Sequence, residues 1–394
     1  MDKQFEKAKE VILKLKSAGY DAYFVGGYVR DRFLKLPSND IDITTSATPT
    51  EVIALFDNVK ETGKKYGSVT VLKGKAKFEV TTFRSDGQYL DNRHPSEVVY
   101  SKKITDDLAR RDFTMNALIM DENEKISDYY NGIADIKKRM IKTINDPSKR
   151  FTEDSLRILR AFRFVSKLNF EIEEKTLKAI KEQKALIANI SIERVMNELN
   201  QIFKGKYYQK ALQYLLQSEV DQVLYGLSNG LKYISTLKEQ VSPIEAYIIC
   251  YILGDVQDVW RFSNKEKRLI TKITNLHEVT KVDQFNKLLV YTYGLEDCLL
   301  ANRINFLLGY QDQENLIKML DKMLPIKDVC DLVFKGEDIL KLTALRKKSW
   351  ISIIVDDLKY QVINGTLDNE YESLKSYALK KVDELILEMG DTNE

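Results

Sequence analysis

The sequence predicts an α+β protein, in which a small mixed β-sheet flanked by helices is followed by a remainder that is nearly all helix. Up to about residue 140, short runs of β-branched and aromatic residues alternate with turns, as is typical of strands. Beyond that point apolar residues recur mainly at helical spacing, and few prolines or glycines interrupt them. The change of pattern places a boundary near residue 140.

The clearest strands of the first part are predicted at 22–25, 41–43, 68–72 and 77–83. A chain of 394 residues is too long for one ordinary core, and its length predicts about two to four domains. With 44% hydrophobic and 30% charged residues, the composition is that of a globular protein.

Composition also excludes several classes of protein. No apolar run approaches the ~20 residues that a membrane span needs, and the start MDKQFEKAKE lacks the apolar core of a signal peptide. We therefore expect a cytoplasmic protein without a membrane partner.

The cysteines and histidines limit the kinds of metal site. Cys250, Cys298 and Cys330 are far apart among apolar neighbours, which predicts buried thiols and disfavours disulfides or a zinc cluster. His94 and His277 are the only histidines, so a multi-histidine centre is excluded. Any catalytic metal would then have oxygen ligands, which favours Mg²⁺.

The first motif is a strand that runs into two glycines and then a helix, at 24–31 (FVGGYVRD). Backbone N–H groups at Gly26 and Gly27 can approach an anion, and Arg30 lies one turn into the helix as a charged partner. This arrangement predicts a phosphate site, although a tight strand-to-helix turn explains the same residues. No Walker A sequence occurs, so P-loop chemistry is not indicated.

The second motif is a pair of acids on a strand. In Asp40-Ile41-Asp42-Ile43 the strand period of two places both carboxylates on one face and both isoleucines towards the core. Two like charges side by side are most simply compensated by a divalent cation. An ordinary solvent-facing strand is the alternative. Glu79, in a later strand, is a candidate third carboxylate if the two strands pair.

The third motif is a helix predicted over 151–163 (FTEDSLRILRAFR), with Thr152 as its N-cap. A salt-bridged surface helix would have the same pattern. Residues that step by three shift about 60° each around a helix and form a winding ridge, which can line a pocket. The residues of this ridge are Asp154, Arg157, Arg160 and Arg163.

Asp154 and Arg157 offer a carboxylate acceptor and a guanidinium donor, a combination that could discriminate between bases. Cytosine and adenine both present an amine donor beside a ring-nitrogen acceptor, which a carboxylate next to a guanidinium complements. Uracil and guanine present the reverse. A protein side-chain pair could thus select C and A and reject U and G without a nucleic-acid template.

Three segments are rich in lysine and arginine, at 204–210, 261–268 and 346–348. The first two also contain aromatic residues. They suit phosphate contacts and stacking on RNA, or they are solvated helix faces. The net charge of +2 decides nothing between these interpretations.

Taken together, GG-YVRD at 26–31, D-I-D at 40–42, RRDFTMNA at 110–117 and EDSLRILR at 153–160 resemble the class II CCA-adding enzymes, tRNA nucleotidyltransferases of the polymerase-β-type superfamily. The resemblance implies a bacterial type of enzyme without an HD domain, with the 3′ end of tRNA, CTP and ATP as substrates, Mg²⁺ as cofactor and a homodimer as a plausible assembly. It also implies four regions: a nucleotidyltransferase head (1–140), a nucleotide-selecting neck (141–205), a helical body (206–290) and a helical tRNA-binding tail (291–394).

The resemblance assigns roles to individual residues. Asp40 and Asp42 would hold two Mg²⁺ ions, with Glu79 as a further candidate catalytic carboxylate. The residues predicted to bind the nucleotide are Gly27, Arg30, Arg111, Asp154, Arg157, Arg160 and Arg163. The family's EDxxR motif selects the base, and the resemblance assigns this task to Asp154 and Arg157, with Glu153 as support. For Arg111 a salt bridge to Asp112 or another acid is the alternative role.

Three kinds of alternative are compatible with these motifs, and the nearest is an enzyme of the same fold with a different product. The same fold occurs in A-adding enzymes and in bacterial poly(A) polymerases. A polar loop predicted at 84–98, which includes His94, resembles a family loop associated with addition of the terminal A and argues against CC-only addition. A non-catalytic RNA-binding protein and a small-molecule nucleotidyltransferase are the remaining alternatives.

Overall fold

The computed structural model describes residues 3–38, 40–86, 98–342 and 348–390. The chain divides into two compact units, Met1–Arg261 and Phe262–Glu394. Most of the predicted loop at 84–98, including His94, and part of the basic segment at 346–348 lie outside the described residues.

The main sheet confirms the predicted N-terminal β region. The strands are β1 (Ala22–Val25), β2 (Asp42–Thr45), β3 (Val59–Lys60), β4 (Ser68–Lys73), β5 (Ala76–Thr82), β6 (Arg84–Asp86), β7 (Val98–Tyr100), β8 (Leu118–Met120), β9 (Ile126–Asp128), β10 (Met140–Ile141) and β11 (Glu171–Ile172). Seven of them form one sheet in the order β3-β4-β5-β2-β1-β8-β9. The sheet is mixed, because β2 and β5 are parallel while the other neighbours are antiparallel.

Strand alternation determines which side chains of β2 and its approach face the core. Ile41 and Ile43 are 3% and 0% exposed, whereas Asp40 and Asp42 are exposed. This is the predicted two-residue period, with the apolar side chains packed on the core side of the sheet. Both carboxylates are thereby kept on the open side of a central part of the sheet.

The rest of the first unit is almost entirely helical. Its helices are α1 (Lys3–Ser17), α2 (Gly27–Phe33), α3 (Pro49–Leu55), α4 (Ile104–Ala109), α5 (Gly132–Lys137), α6 (Pro147–Glu153), α7 (Leu156–Leu168), α8 (Glu174–Gln183), α9 (Ile192–Lys204), α10 (Tyr208–Gln217), α11 (Ser228–Ile234) and α12 (Pro243–Leu253). The apolar face of α7 packs on α9 and α10, which fixes the orientation of its polar face.

The helix predicted over 151–163 is in fact two helices, and the predicted Thr152 cap is wrong. α6 begins after Asp146, whose side chain accepts a hydrogen bond from the Lys149 N–H, and it ends at Glu153. Thr152 lies inside α6 and donates to the Ser148 carbonyl at 2.9 Å. Pro147 explains the earlier start, because proline suits the first turn of a helix and Asp is a strong N-cap.

Asp154 therefore lies at a break in the chain rather than on a helical ridge. Its backbone is extended (φ −145°, ψ 100°), and α7 starts only after Ser155. Arg157, Arg160 and Arg163 do step by three along α7 as predicted. Because of this break, the orientation of the Asp154 side chain is not set by the helix that carries the three arginines.

The second unit is an all-helical unit in the described residues. Its helices are α13 (Asn264–Thr280), α14 (Lys287–Tyr293), α15 (Leu295–Leu307), α16 (Glu314–Lys322), α17 (Gly336–Leu342), α18 (Lys348–Asn364) and α19 (Tyr371–Gly390). One of its cores joins α17, α18 and α19 through Ile339, Leu358 and Leu374, which are 1%, 0% and 0% exposed. Within the ranges described, no helix is both long and apolar enough to cross a membrane.

The cysteines are free, and one prediction about them is wrong. Cys250 and Cys298 are buried, as expected, and burial raises the pKa of each thiol to about 12. Cys330 is exposed, in a short turn where the side chain of Asp328 accepts a hydrogen bond from its N–H. The apolar neighbours of Cys330 in the sequence did not reveal that this turn lies on the surface.

Candidate active site

The turn between β1 and α2 requires glycine at its first position. Gly26 has φ 71° and ψ −132°, a conformation that side chains with a Cβ rarely adopt. A Cβ at this position would also lie 2.9 Å from Nη1 of Arg111. Gly26 thus leaves room for the Arg111 guanidinium beside the backbone at the start of α2. Backbone N–H groups and a guanidinium next to each other suit an anion.

The acids at the edge of β2 are next to a third carboxylate. Asp42 is the register partner of Glu79 on the parallel strand β5, so the strand pairing on which the role of Glu79 depends is present. The protein atoms around the Asp42 carboxyl raise its pKa to about 6, the charges of Glu79 and Asp40 add to this effect, and Arg111 opposes it. The free site therefore holds excess negative charge that a cation would relieve.

One cavity of about 410 Å³ collects nearly all the predicted site residues. It contains the two acids of the second motif, the two glycines of the first and the polar face of α7. The lining residues are Gly26, Gly27, Tyr28, Arg30, Asp31, Ser38, Asp40, Asp42, Arg111, Asp112, Asn116, Asp154, Arg157, Arg160, Arg163, Phe164 and Lys167. Of the predicted residues, Glu79 and Glu153 do not line it.

Arg30 lies at the back of this cavity and is 2% exposed. Its Nε and Nη2 donate to Oδ1 of Asp31 at 2.8 and 2.7 Å, and Nη1 donates to Oδ1 of Asn116 at 2.5 Å. The guanidinium also lies over the Phe164 ring, 5.0 Å from its centroid. Lys167 donates to the other Asp31 oxygen at 2.8 Å. Arg30 is held in place from three sides.

The same network continues to Arg160. Asn116 donates to Oδ1 of Asp112 at 2.9 Å, and Nε and Nη2 of Arg160 contact the other oxygen at 2.8 and 2.6 Å. Burial disfavours a charged Asp112, but the Arg160 charge and the hydrogen bonds from Asn116, Arg160 and the Phe113 N–H lower the pKa of Asp112 to about 2. Asp112 is therefore ionised and paired at neutral pH.

Arg111 forms a salt bridge, but with a different acid from its neighbour in sequence. Its Nη2 donates to Oδ2 of Asp107 at 3.2 Å, one turn back in α4. Asp107 is fully buried, and although burial opposes its ionisation, the charges of Arg111 and Arg110 hold its pKa below the usual range. The Nε of Arg111 is buried without a partner in the part of the chain described. Asp107 thus anchors Arg111 at the cavity wall beside Gly26.

Arg157 is fixed by α6 and the chain around Arg110. Its Nη1 donates to the Arg150 carbonyl at 2.9 Å and to Glu153 at 3.1 Å, and Nη2 donates to the Arg110 carbonyl at 2.7 Å. Glu153 also pairs with Arg150 at 2.7 Å. The predicted supporting position of Glu153 next to Arg157 is thus present, and the guanidinium of Arg157 has one orientation.

Asp154 has weaker partners than the arginines. Its Oδ1 accepts a hydrogen bond from the Leu156 N–H at 3.2 Å, and Nη2 of Arg194 in α9 lies 3.4 Å away. Arg163, further along α7, donates to Glu198 of α9 at 3.3 Å. Asp154 therefore retains acceptor capacity on the side that faces the cavity.

Five functional neighbours were missed by the sequence analysis: Asp31, Asp107, Asp112, Asn116 and Lys167. Asp31 and Asn116 stand within the quoted motifs, so the motifs themselves signalled that they matter. Asp112 was considered only as a partner of Arg111, but it pairs with Arg160, 48 residues away. Lys167 approaches Asp31 across 136 residues, and no local pattern indicates such a contact.

The open acids fit a hard divalent cation. Across residues 3–38, 40–86, 98–342 and 348–390, no group of three or more His, Cys, Asp and Glu side chains is arranged to hold a metal. Asp40 and Asp42 offer two carboxylates in a polar cavity. A cation of the Mg²⁺ type is commonly held in this way, by one or two carboxylates together with substrate phosphates and water.

Family models match most of the chain. A model described as the poly A polymerase head domain matches residues 22–142. A model of an RNA- and SrmB-binding site of polymerase A matches 169–225, and a model of tRNA nucleotidyltransferase domain 2 matches 254–378. The matched ranges follow the order of β-sheet region and helical regions seen in the fold.

Individual relatives agree with the family models. The CCA-adding enzyme of Streptococcus pyogenes serotype M5 (strain Manfredo) is 32% identical over 395 residues, covering 97% of this chain and 98% of that protein. The crystal structure of the Bacillus stearothermophilus CCA-adding enzyme in complex with CTP has a TM-score of 0.86 and 31% identity, covering 98% of this chain and 100% of that chain. The Thermotoga maritima CCA-adding enzyme complexed with tRNA shares the fold, with a TM-score of 0.68 and 19% identity over 94% of each chain. The chain therefore belongs to the family of CCA-adding enzymes, the tRNA nucleotidyltransferases with a poly(A)-polymerase-type head domain.

Proposed function

We propose that this protein adds C, C and A to the 3′ end of tRNA from CTP and ATP, with its own side chains in place of a template. The observation that carries the proposal is the content of a single cavity, which contains Asp40 and Asp42, the Gly26–Gly27 turn, and Asp154 with Arg157. A phosphate-transfer site and a base-reading site then share one cavity. Related enzymes with bound CTP, ATP and tRNA support these substrates.

Asp40 and Asp42 hold divalent metal ions in this proposal, and Mg²⁺ is the ion that their oxygen ligands favour. When bound, the metals supply Lewis-acid stabilisation of the charge that develops on the transferred phosphoryl group. Glu79 is the register neighbour of Asp42, and its charge raises the pKa of that residue, so we assign it a supporting electrostatic role.

The chain's own residues position the nucleotide. Arg111, anchored by Asp107, and the backbone at Gly27 face the triphosphate, while Arg30 and Arg160 form the fixed wall behind it. Asp154 accepts from the exocyclic amine of cytosine or adenine, and Arg157 donates to the adjacent ring nitrogen. Arg163 provides a further contact on the same face of α7.

We also propose the broader setting of the enzyme. It acts in the cytoplasm on tRNA, with Mg²⁺ as its metal and a homodimer as a compatible assembly. The division into head (1–140), neck (141–205), body (206–290) and tail (291–394) remains a prediction, alongside the two compact units of the fold.

The test is an incorporation assay. Purified protein and Mg²⁺ are incubated with labelled tRNAs that end before CCA, after C or after CC, each with CTP, ATP, UTP or GTP. Completion of CCA on the bare end is the expected result. Addition of A only to the CC end would identify an A-adding enzyme, long A tails would identify a poly(A) polymerase, and no incorporation would indicate a non-catalytic RNA-binding protein.

A further inference from the structure

A second cavity adjoins the active site and shares one residue with it. This cavity, of about 470 Å³, is lined by Asp40, by the first turns of α1, by the turn between β4 and β5 and by the start of β5. The cavity of about 410 Å³ described above is called the nucleotide cavity here, and Asp40 is the single lining residue that the two cavities have in common. Asp40, which we propose as a metal ligand, therefore lines two cavities of different composition.

The second cavity is strongly basic. Its charged lining consists of Lys3, Lys7, Lys75 and Lys77 against the one carboxylate of Asp40. Three of the lysines are exposed and Lys7 is half-buried. None of the four forms an ion pair with any residue that the structure describes, whereas nearby Lys73 is paired with Glu10 at 2.9 Å. Four lysines in one concave space, without an ion-pair partner among the described residues, attract a polyanion.

The cations of the nucleotide cavity are differently placed. Arg30 and Arg160 there are paired with Asp31 and Asp112 and are directed by their hydrogen bonds, and Lys167 is paired with Asp31. Guanidinium groups fixed in this way suit one bound geometry, such as a triphosphate beside a selected base. Lysines are flexible point charges that suit a backbone whose position shifts with each added nucleotide.

Nucleotidyl transfer requires separate approaches for the RNA end and for the triphosphate. In nucleotidyl transfer the attacking hydroxyl and the leaving pyrophosphate lie roughly in line on opposite sides of the phosphorus. The RNA end must therefore reach the metal-binding acids from a different direction than the triphosphate does. The lysine-lined cavity meets Asp40 and contains none of the residues assigned to the triphosphate or the base.

We propose that Lys3, Lys7, Lys75 and Lys77 bind the phosphodiester backbone of the RNA 3′ end, next to the reacting hydroxyl. This inference rests on the proposed function. The ligand chemistry is phosphate, and RNA is the source favoured here because the other cavity already accounts for the triphosphate. Released pyrophosphate is the competing source.

The first experiment removes charge from the turn between β4 and β5 and from the start of β5. The variant Lys75→Gln/Lys77→Gln is compared with Lys60→Gln/Lys65→Gln, two exposed lysines of the same unit that do not line the cavity. We expect the test variant to lower kcat/KM for a tRNA lacking CCA about 3- to 10-fold, and to reduce the slope of log(kcat/KM) against log[salt] by about 1.4, since each single-strand phosphate contact contributes about 0.7. KM for CTP and the melting temperature should match the control.

The second experiment identifies the phosphate. Primers with one uncharged methylphosphonate at the last, second or third linkage from the 3′ end are extended by wild type and by Lys75→Gln/Lys77→Gln. At one linkage or more, the neutral group should slow the wild type about 3- to 10-fold and the variant less than about 2-fold, because the interaction it removes is already absent. Slowing by the same factor in both proteins at every linkage would overturn the proposal.

Pyrophosphate is tested in the reverse reaction. If the lysines bound the leaving group, Lys75→Gln/Lys77→Gln would raise KM for pyrophosphate and leave KM for tRNA unchanged, which would also overturn the inference. Incorporation by the wild type is measured in every arm. Absence of CMP and AMP incorporation in the wild type refutes the proposed function, whereas normal incorporation with a variant that behaves like its control refutes this inference alone.

Discussion

Two groups of acids line the same cavity and have opposite surroundings. Asp40 and Asp42 are exposed at the approach to β2 and at its start, beside another carboxylate. Asp31 and Asp112 are buried, and each is bonded to an arginine. The pKa is raised to about 6 at Asp42 and lowered to about 2 at Asp112. A carboxylate left without a cation is available to a ligand, and one that is fully paired serves the fold.

The largest loss of activity is expected from a substitution of Asp42. Asp42→Asn should reduce CMP incorporation on the order of 10³-fold, because a metal-binding carboxylate supplies several kcal/mol of transition-state stabilisation. Binding of tRNA and thermal stability should be unchanged or improved. A raised pKa means that the ionised group opposes folding above about pH 6, so its removal costs no stability.

Single-turnover incorporation, filter binding and thermal unfolding measure these effects. The matched control is Asp57→Asn, an exposed acid outside the cavity. Wild-type turnover by Asp42→Asn would refute its assignment to the metals, and a large loss of stability would remove the distinction between the two groups.

The second prediction concerns the buried group. Asp112→Asn removes the carboxylate that pairs with the Arg160 guanidinium, and we expect the free energy of unfolding to fall by about 2 kcal/mol. Urea unfolding at neutral pH measures this loss, again with Asp57→Asn as control. An Asp112→Asn protein as stable as wild type would show that the network does not support the fold.

The pH dependence follows from the same ion pair. Asp112 has a lowered pKa, about 2 against an ordinary 3.8, so its stabilisation is full above pH 3.8 and is lost as the pH falls towards 2. This contribution amounts to about 2 kcal/mol. Between pH 4 and pH 2 the wild type should therefore lose more stability than Asp112→Asn does.

The third and smallest prediction concerns residues intermediate between the two groups. Asp154 is partly open and Arg157 is fixed by backbone carbonyls, so both should affect choice of base more than folding. Asp154→Asn or Arg157→Lys should lower the ratio of kcat/KM for CTP over UTP about 10- to 100-fold. Glu153→Gln, which removes only the ion pair between Glu153 and Arg157, should lower this ratio less. An unchanged ratio would contradict the templating role.

Much of the fold was predictable from local patterns. The boundary between β and helical regions, the β1 strand, the glycine turn and the outward pair Asp40 and Asp42 all follow from periodicity and turn chemistry, which act over a few residues. The interruption at Asp154 was missed because acids and arginines at helical spacing fit one helix as well as two. The proline and its preceding acid were the overlooked signal.

The sequence by itself determined which side chains could serve this chemistry: paired acids on a strand, glycines before a helix, and arginines every third residue of α7. Only the tertiary structure decided which of these charges are neutralised. Arg30 and Arg160 are joined to acids in one network, while Lys3 and Lys7 of α1, Lys75 and Lys77 form no ion pair with the described residues. Pairing depends on distances between residues far apart in sequence, and those distances are set by how the sheet and α7 pack.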